Sequence, residues 1–494
     1  MTNERVTRGW AALLIAAILM ILTAVALPAQ AFTTLLNLDW TNGADPEGPL
    51  LQGTDGNFYG TMYEGGAYGY GTAFKITPDG VLTTLYSFCA QANCADGAYP
   101  FGGLIQATDG NFYGTAFDGG SSEFCCGTVF KITPGGTFTR LYSFCAQTNC
   151  TDGAYPQGGL VQATDGNFYG TTYGYGVYGY GTVFKITPGG APTTLYSFCA
   201  QTNCADGSNP NGGLIQASDG NFYGTTANGG AQYRALANLG TVFRITPIGT
   251  LTTRHSFHFA DGSHPFAGLV QAADGTFYGT TYEGGYGGNV NCLRFGCGTV
   301  FNITSGGTLT TLHTFDSRHG GFPLAALIQM PDGNFYGTTQ NGSNDACFGG
   351  CGTIFKITPT GRLTTLHSFD GSDGNYPDFP LAQGTDGIIY GTTQEGANDI
   401  CSGGCGTLFS LRGKFAPLVE TKPAFGNVGK AIGILGNNLT GTTSVTFNGT
   451  AAEFTVVSDF EITTTVPAGA SRGSVEVASP GGTLMSNEPF QVVP

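Results

Sequence analysis

Charge is scarce in this chain of 494 residues: 10% of the positions are Asp, Glu, Lys or Arg, and 18 basic residues face 33 acidic ones. A net charge of −15 repels nucleic acid and anionic membrane surfaces, which excludes both as partners. Histidine (6) and tryptophan (2) are few. No Ser-His-Asp constellation, nucleophile elbow, metalloprotease helix or phosphate loop can be traced. After the N-terminus there is no apolar periodicity of helical type, which excludes helical bundles and α/β folds. Glycine is what the chain has instead, at 82 positions, as suits an all-β fold of short strands and tight turns.

Residues 1–31 read as a secretory signal. Arg5 and Arg8 form a basic start, Ala11 to Leu27 an apolar core, and Ala29-Gln30-Ala31 a small-residue cleavage site. An uncleaved membrane anchor is the alternative, because the apolar core approaches spanning length. Cleavage would remove Glu4, Arg5 and Arg8, leaving 16 basic and 32 acidic residues, a net of −16, and no membrane insertion in the mature chain.

The stretch Asp-Gly-Asn-Phe-Tyr-Gly-Thr recurs with substitutions seven times, from Asp55 through Asp109, Asp165, Asp219, Asp274 and Asp332 to Asp386. The intervals are 54, 56, 54, 55, 58 and 54 residues, a period that signals an array, solenoid or propeller. Each period holds four short apolar runs separated by Asp-Gly-Asn and Pro-Gly-Gly turn signals, the content of one propeller blade. The seventh period lacks its fourth run, and Phe32-Thr33-Thr34-Leu35-Leu36-Asn37-Leu38 supplies a matching one at the other end of the chain. The expectation is a seven-bladed β-propeller over residues 32–412, closed by the N-terminal strand so that no sheet edge is left open.

The fourteen cysteines support export. They fall into close pairs that come and go as units between repeats: Cys89/Cys94, Cys145/Cys150, Cys199/Cys204, Cys292/Cys297, Cys347/Cys351 and Cys401/Cys405, with Cys125/Cys126 adjacent. Local disulfides are the simplest reading, although sequence alone leaves the connectivity open. Zinc is the alternative, but the intervals are not paired Cys-x-x-Cys and no histidine recurs beside them. An adjacent pair needs a strained ring, which leaves the state of Cys125/Cys126 open. Every cysteine lies in a second-to-third-strand loop or a blade-to-blade crossover, and both kinds of loop reach the same end of the ring. Variable loops on a rigid scaffold are where function tends to sit.

Three groups on that frame are candidate sites. The repeated aspartates either bind calcium or accept backbone hydrogen bonds in tight turns; one carboxylate per loop is too few ligands for calcium, so the turn is expected. A second series follows the second strand: Glu64, Asp118, Asn228, Glu283, Asn341 and Glu395, with Gly174 in the third repeat. These could ring the decorated face and hold a cation, sugar hydroxyls or a glycosidase acid pair, or be solvated turn residues. Tyrosines crowd the same loops at Tyr63, Tyr68, Tyr70, Tyr173, Tyr175, Tyr178, Tyr180, Tyr282 and Tyr286, suited to stacking on sugars or to packing over the blade tops. The histidines carry less: His255, His313 and His367 replace the tyrosine of Leu-Tyr-Ser-Phe, while His258, His264 and His319 lie in crossovers without ligand spacing. No catalytic residue, metal ligand or cofactor is assigned; calcium is the one ion kept as an alternative for the acidic groups.

Beyond Leu411 the repeat stops. Residues 415–494 contain no cysteine, and alternating runs such as Ala431-Ile432-Gly433-Ile434-Leu435 and Ser474-Val475-Glu476-Val477 fit a small immunoglobulin-like β-sandwich.

Two resemblances add to this reading. The repeat Gly-Thr-Val-Phe-Lys-Ile-Thr-Pro-Gly-Gly-Thr-Leu-Thr-Thr-Leu-Tyr-Ser-Phe resembles the GloVer tandem repeat of exported bacterial proteins; it implies export and a repeat architecture, without a known reaction. The Asp-Gly-Asn-Phe-Tyr hairpin is, more loosely, similar to NHL-type blades. Gly429 to Gly449, with Val466-Pro467-Ala468-Gly469-Ala470, resembles an IPT/TIG domain, which implies a spacer or adhesive module. Neither resemblance brings catalytic residues. The expected function is a secreted or cell-surface scaffold, more a binder than an enzyme, that presents a disulfide-rich face to a glycan or surface protein. The alternatives are an extracellular glycosidase or lyase with acids on that face, and a purely structural envelope protein.

Overall fold

The computed structural model describes residues 30–493 except 121–124, 232–237, 286–291, 293–294, 343–346, 348–349, 397–400 and 402–403. The signal segment to residue 29, and Tyr286, lie outside the described residues. The described residues are all-β, with 3-10 turns at Ala92–Cys94, Thr148–Cys150 and Thr202–Cys204 and no α-helix. No described helix is long and apolar enough to cross a membrane.

Seven four-stranded antiparallel sheets follow the seven repeats. In the first, Leu51–Gln52, Phe58–Met62, Thr72–Ile76 and Leu82–Ser87 pair in chain order. In the seventh, Ala382–Gln383, Ile389–Thr393 and Thr407–Arg412 are completed by the N-terminal strand Ala31–Asn37, which pairs antiparallel with Thr407–Arg412. The two ends of the repeat region therefore share one sheet, as the run at Phe32 predicts.

Side chains explain why these short strands stack. Phe and Tyr are adjacent in the second strand, so they project to opposite faces of the sheet. Tyr59 stacks on Phe112 of the second sheet at 4.0 Å, and the contact recurs at Tyr113–Phe168, Tyr169–Phe222, Tyr223–Phe277 and Tyr278–Phe335. Phe58–Tyr390 at 4.2 Å joins the first sheet to the seventh. The glycine that follows Tyr makes room for the third-strand phenylalanine: a Cβ on Gly224 would lie 2.8 Å from Phe243 Cζ, and Gly60 stands in the same relation to Phe74. Each repeated aspartate is a turn residue. Asp55 Oδ1 accepts the Asn57 backbone N–H and its Oδ2 accepts the Tyr59 hydroxyl at 2.8 Å, an arrangement repeated at Asp109–Tyr113 and Asp386–Tyr390.

All fourteen cysteines are paired with near neighbours. The bridges are Cys89–Cys94, Cys145–Cys150, Cys199–Cys204, Cys292–Cys297, Cys347–Cys351 and Cys401–Cys405, and Cys125–Cys126 closes as a vicinal disulfide. Zinc therefore has no free thiol to bind among them. At Cys297 a bridge reaches into the core. This residue is 1% exposed, and with Cys292 it joins the apolar core between the fifth and sixth sheets, beside Val300, Phe315 and Leu327. The Cys297 carbonyl also accepts the Phe322 N–H of the next crossover at 2.7 Å. Cys297 directly precedes Gly298 and the third strand Thr299–Ile303, so its side chain is carried down into the space between sheets rather than out to solvent. Cys351 and Cys405, at the same place in the sixth and seventh repeats, are buried too. These bridges pin the loop to the core through their second cysteine, while Cys347 and Cys401 are partly buried.

The C-terminal residues form two four-stranded sheets and a two-stranded ladder, Phe425–Gly426 with Gln491–Val492, about a core that includes Val419, Ile434, Val445, Phe447, Ile462 and Phe490.

Candidate functional site

The first strand of every sheet lines one central cavity, of about 630 Å³, through residues such as Leu51, Ile105 and Ile215. Its two ends are built differently. At the Asp-Gly-turn end, glutamines link neighbouring sheets: Gln106 Oε1 accepts the Thr54 N–H at 3.2 Å, and Gln52 Oε1 accepts that of Thr385 at 2.9 Å, across the closure. Gln383 Oε1 is instead buried without a partner among the described residues. The position that would supply its N–H is Pro331, which has none. The C-terminal sheets cover this end, with Gln383 Nε2 donating to Ala416 O at 3.2 Å, Leu418 N to Thr385 O at 3.1 Å, and Asn487 Nδ2 to Gln329 O.

The opposite end is formed by the crossovers. Each enters its sheet through a residue before proline with positive φ: Asp45, Tyr99, Tyr155, Asn209, His264, Phe322 and Tyr376, all between 54° and 60°. Left-handed backbone at a non-glycine residue costs on the order of 1–3 kcal/mol and persists only where the surroundings enforce it. Here two backbone bonds do so. Asp45 N–H donates to Cys405 O in the preceding sheet at 3.1 Å, and Asp45 O accepts Tyr63 N–H at 2.8 Å; Tyr376 is held likewise by Cys351 O and Gln394 N–H. Adjacent crossovers approach closely enough that a Cβ on Gly158 would meet Gly212 O at 2.9 Å. The residues after these prolines therefore converge at a narrow mouth: Asn211 Nδ2 donates to Gln157 Oε1 at 3.1 Å, and the Phe101 and Phe379 rings meet edge-on at 6.2 Å.

Acidic side chains occupy this position in two neighbouring sheets, Glu47 in the first and Asp378 in the seventh, and Asp45 adds a third at the strained position. Glu47 and Asp378 are each 7% exposed. Gln340 Nε2 donates to Asp378 Oδ2 at 2.8 Å and its Oε1 accepts the Tyr282 hydroxyl at 3.2 Å, while Gln394 Nε2 donates to Glu47 Oε1 at 3.3 Å. Asp378 Oδ1 is left buried without a partner among the described residues, while the Asp45 and Glu47 carboxyls lie within hydrogen-bond reach of each other and Gln394 also reaches Asp45. Burial pushes the Asp378 carboxyl up to about 7 despite the Gln340 hydrogen bond. Burial also raises Asp45 and Glu47, and their mutual repulsion adds to the rise in Glu47. Beside them Asp45, Glu64, Gln394, Glu395 and Trp40 line a cavity of about 360 Å³, with Trp40 43% exposed.

The structure brings Glu64 and Glu395 of the carboxylate series into this one cavity. Glu395 accepts from Asn375 Nδ2 at 3.1 Å, and burial raises its carboxyl. The other members stay in their own sheets. Asn228 Nδ2 donates to Asn209 Oδ1 at 3.4 Å, Glu283 Oε2 lies 3.4 Å from His264 Nδ1, Asp118 ends its second strand opposite Ala98, and Asn341 bridges to Gly321. Among the tyrosines, Tyr68, Tyr175, Tyr178 and Tyr180 are exposed. Tyr63 is half-buried and packs on Tyr99 at 4.8 Å, Tyr173 O accepts Asn209 Nδ2 at 3.1 Å, and Tyr282 props Gln340. Asp45, Glu47, Asp378, Gln340, Gln394 and Trp40 escaped the sequence reading. The signal was there: when the crossovers are aligned on their proline, Asp-Pro-Glu and Tyr-Pro-Asp are the ones that carry acids.

The family model described as the Gloeobacter/Verrucomicrobia repeat matches residues 21–163, 126–291 and 286–457. No curated protein matches the chain. Similar solved structures include a gluconolactonase from Xanthomonas campestris at 16% identity, covering 57% of this chain and 78% of the other with a TM-score of 0.34. A Dyadobacter fermentans protein of unknown function is 11% identical over 78% of this chain and 99% of its own, with a TM-score of 0.40. One from Bacteroides thetaiotaomicron, also of unknown function, is 14% identical over 78% and 76%, with a TM-score of 0.40.

Proposed function

The chain belongs to the Gloeobacter/Verrucomicrobia repeat family, and from that premise we propose an exported, non-catalytic binding protein whose acidic mouth holds a hydroxyl-rich ligand, of which a glycan is the natural class. In this reading the seven sheets are the blades of a β-propeller closed by the N-terminal strand. The C-terminal sheets form an immunoglobulin-like, IPT/TIG-like domain that covers one mouth and leaves the disulfide-bearing one to the ligand. Seven disulfides support an oxidising compartment, and with it a secreted or cell-surface location.

The observation that carries the proposal is the cluster of three buried carboxyls, Asp45, Glu47 and Asp378, in which Asp378 Oδ1 has no partner among the described residues. Buried polar atoms are ordinarily satisfied, and an unmet one invites a partner from outside. Carboxyls with raised pKa values keep a proton near neutrality, so they can both donate to and accept from sugar hydroxyls. Trp40 at the rim offers an apolar face for a sugar ring. A glycan array probed with the oxidised protein, with calcium and with chelator, tests this. Glu47→Ala and Asp378→Ala should each abolish binding, and Tyr282→Phe should weaken it by releasing Gln340. Binding unchanged in both acid variants overturns the assignment.

The Asp378 carboxyl near 7 also favours a second reading, since a protonated acid at neutral pH suits general acid catalysis. Reducing sugar released from a bound glycan, and lost in Asp378→Asn, would make the protein a carbohydrate-active enzyme.

A further inference from the structure

On the outer rim of the same face, the crossovers that leave the first, second and third sheets are each closed by a disulfide, Cys89–Cys94, Cys145–Cys150 and Cys199–Cys204. Beside each disulfide a tyrosine on the fourth strand donates to a buried aspartate, as Tyr196 does to Asp206 at 2.7 Å. The crossover leaving the fourth sheet has no cysteine, and a histidine replaces the tyrosine. His255 Nε2 lies 2.9 Å from Asp261 Oδ2, and a second histidine approaches the same oxygen, with His258 Nδ1 at 3.4 Å. One ligand atom from each of the three residues lies within 4.8 Å of the other two.

We propose that His255, His258 and Asp261 form a binding site for a divalent transition metal, zinc being the best match, which staples this crossover where its sister loops use a disulfide. Two imidazoles and a carboxylate are borderline ligands of the kind zinc takes, at about 2.0–2.1 Å for nitrogen and about 2.0–2.2 Å for oxygen. Tetrahedral angles at those bond lengths separate neighbouring ligand atoms by about 3.3 Å, and the two observed contacts bracket that value. Three protein ligands leave a fourth position for water, and the His258 side chain, 42% exposed, leaves the site open to solvent on that side.

Position gives the site a use. His255 belongs to the outer strand of the fourth sheet, Leu251–Ser256, while the Asp261 carbonyl accepts the Thr299 hydroxyl of the fifth at 3.1 Å. A metal held by both residues would cross-link two neighbouring sheets. The next crossover makes an internal control. His313, Asp316 and His319 offer the same residue types in a different order; His319 Nδ1 lies 3.2 Å from Asp316 Oδ1, while His313 Nε2 is buried without a hydrogen-bond partner among the described residues. Their ligand atoms do not all come within 4.8 Å of one another, as those of the first trio do.

The test is titration of the chelator-stripped, oxidised full chain with zinc by calorimetry and with cobalt(II) by visible absorption. One equivalent of each metal should bind, with cobalt giving a four-coordinate nitrogen/oxygen spectrum and zinc raising Tm. His258→Ala should weaken affinity about ten-fold or more while leaving the metal-free Tm unchanged, and His319→Ala should leave binding intact. Absence of saturable binding, equal affinity in His258→Ala, or loss of binding in His319→Ala would each overturn the proposal.

Discussion

At the scale of single residues, two positions show how tightly the chain specifies its neighbours. Gly224 faces Phe243 across its sheet, and an added Cβ would also fall 2.9 Å from Leu214 Cδ2. Overpacking of this kind costs about 1–3 kcal/mol, so Gly224→Ala should lower Tm by several degrees in a thermal melt. The second position is Asp378. A carboxyl whose folded-state pKa is raised holds a proton that the unfolded chain has already released, so stability falls as pH rises through the interval between the two values. For Asp378 that interval runs from 3.8 to about 7. Asp378→Asn should flatten the decline in denaturant midpoint over this interval; an unchanged slope would show that the carboxyl ionises normally. The paired acids Asp45 and Glu47 act in the same direction.

At the scale of elements, the N-terminal strand does more than extend a sheet. Ala31–Asn37 covers the edge of Thr407–Arg412, and its Phe32 ring lies against His367 of the sixth sheet at 3.8 Å. Deleting residues 30–38 would remove the fully buried Leu38 and expose an unpaired edge, a template for pairing with another chain. The truncated protein should lose the cooperative transition of the intact one in calorimetry and elute as larger species in size exclusion. The strand was legible because its sequence repeats the fourth strand of every other unit. The crossovers were less so. Their strained residue before proline varies among Asp, Tyr, Asn, His and Phe, because its φ is enforced by backbone bonds, one from the preceding sheet and one from its own, which leave no mark on residue type.

At the scale of the whole molecule, the seam between the sixth and seventh sheets departs from the repeat in three ways that serve one end. Ile389 stands where the other sheets carry phenylalanine, so the Tyr336 ring has no second-strand ring to stack on and meets Phe415 edge-on at 5.7 Å instead. Pro331 breaks the glutamine girdle, and Gln383 turns its amide to Ala416. The carbonyl of Phe415 also sits where a Cβ on Gly387 would be, 2.6 Å away. Irregularities that look like drift in the repeat thus form the seat of the C-terminal sheets. Phe415→Ala should leave the main melting transition in place while exposing residues 413–417 to limited proteolysis, releasing a C-terminal fragment; continued protection would mean that Leu418 and Asn487 suffice to hold it.

The sequence by itself determined the all-β class, the number and order of strands in each repeat, the donor strand at Phe32 and the grouping of the cysteines into close pairs. Each of these is set by local patterning or by near neighbours, and a period of about 55 residues repeats the signal often enough to read. Tertiary structure alone decided which acids meet and which sulfurs are hidden. Asp45 and Glu47 lie more than 300 positions from Asp378, and they become neighbours because closing the ring sets the first sheet beside the seventh. Cys297 is buried because the sixth sheet packs against the fifth, which its spacing from Cys292 does not record. Folding also decided that His255, His258 and Asp261 share a point in space, since the crossover must turn back on its strand before their spacing has any meaning. Position along the chain records what each sheet contains; ring closure determines which side chains face one another and how far burial shifts their protons.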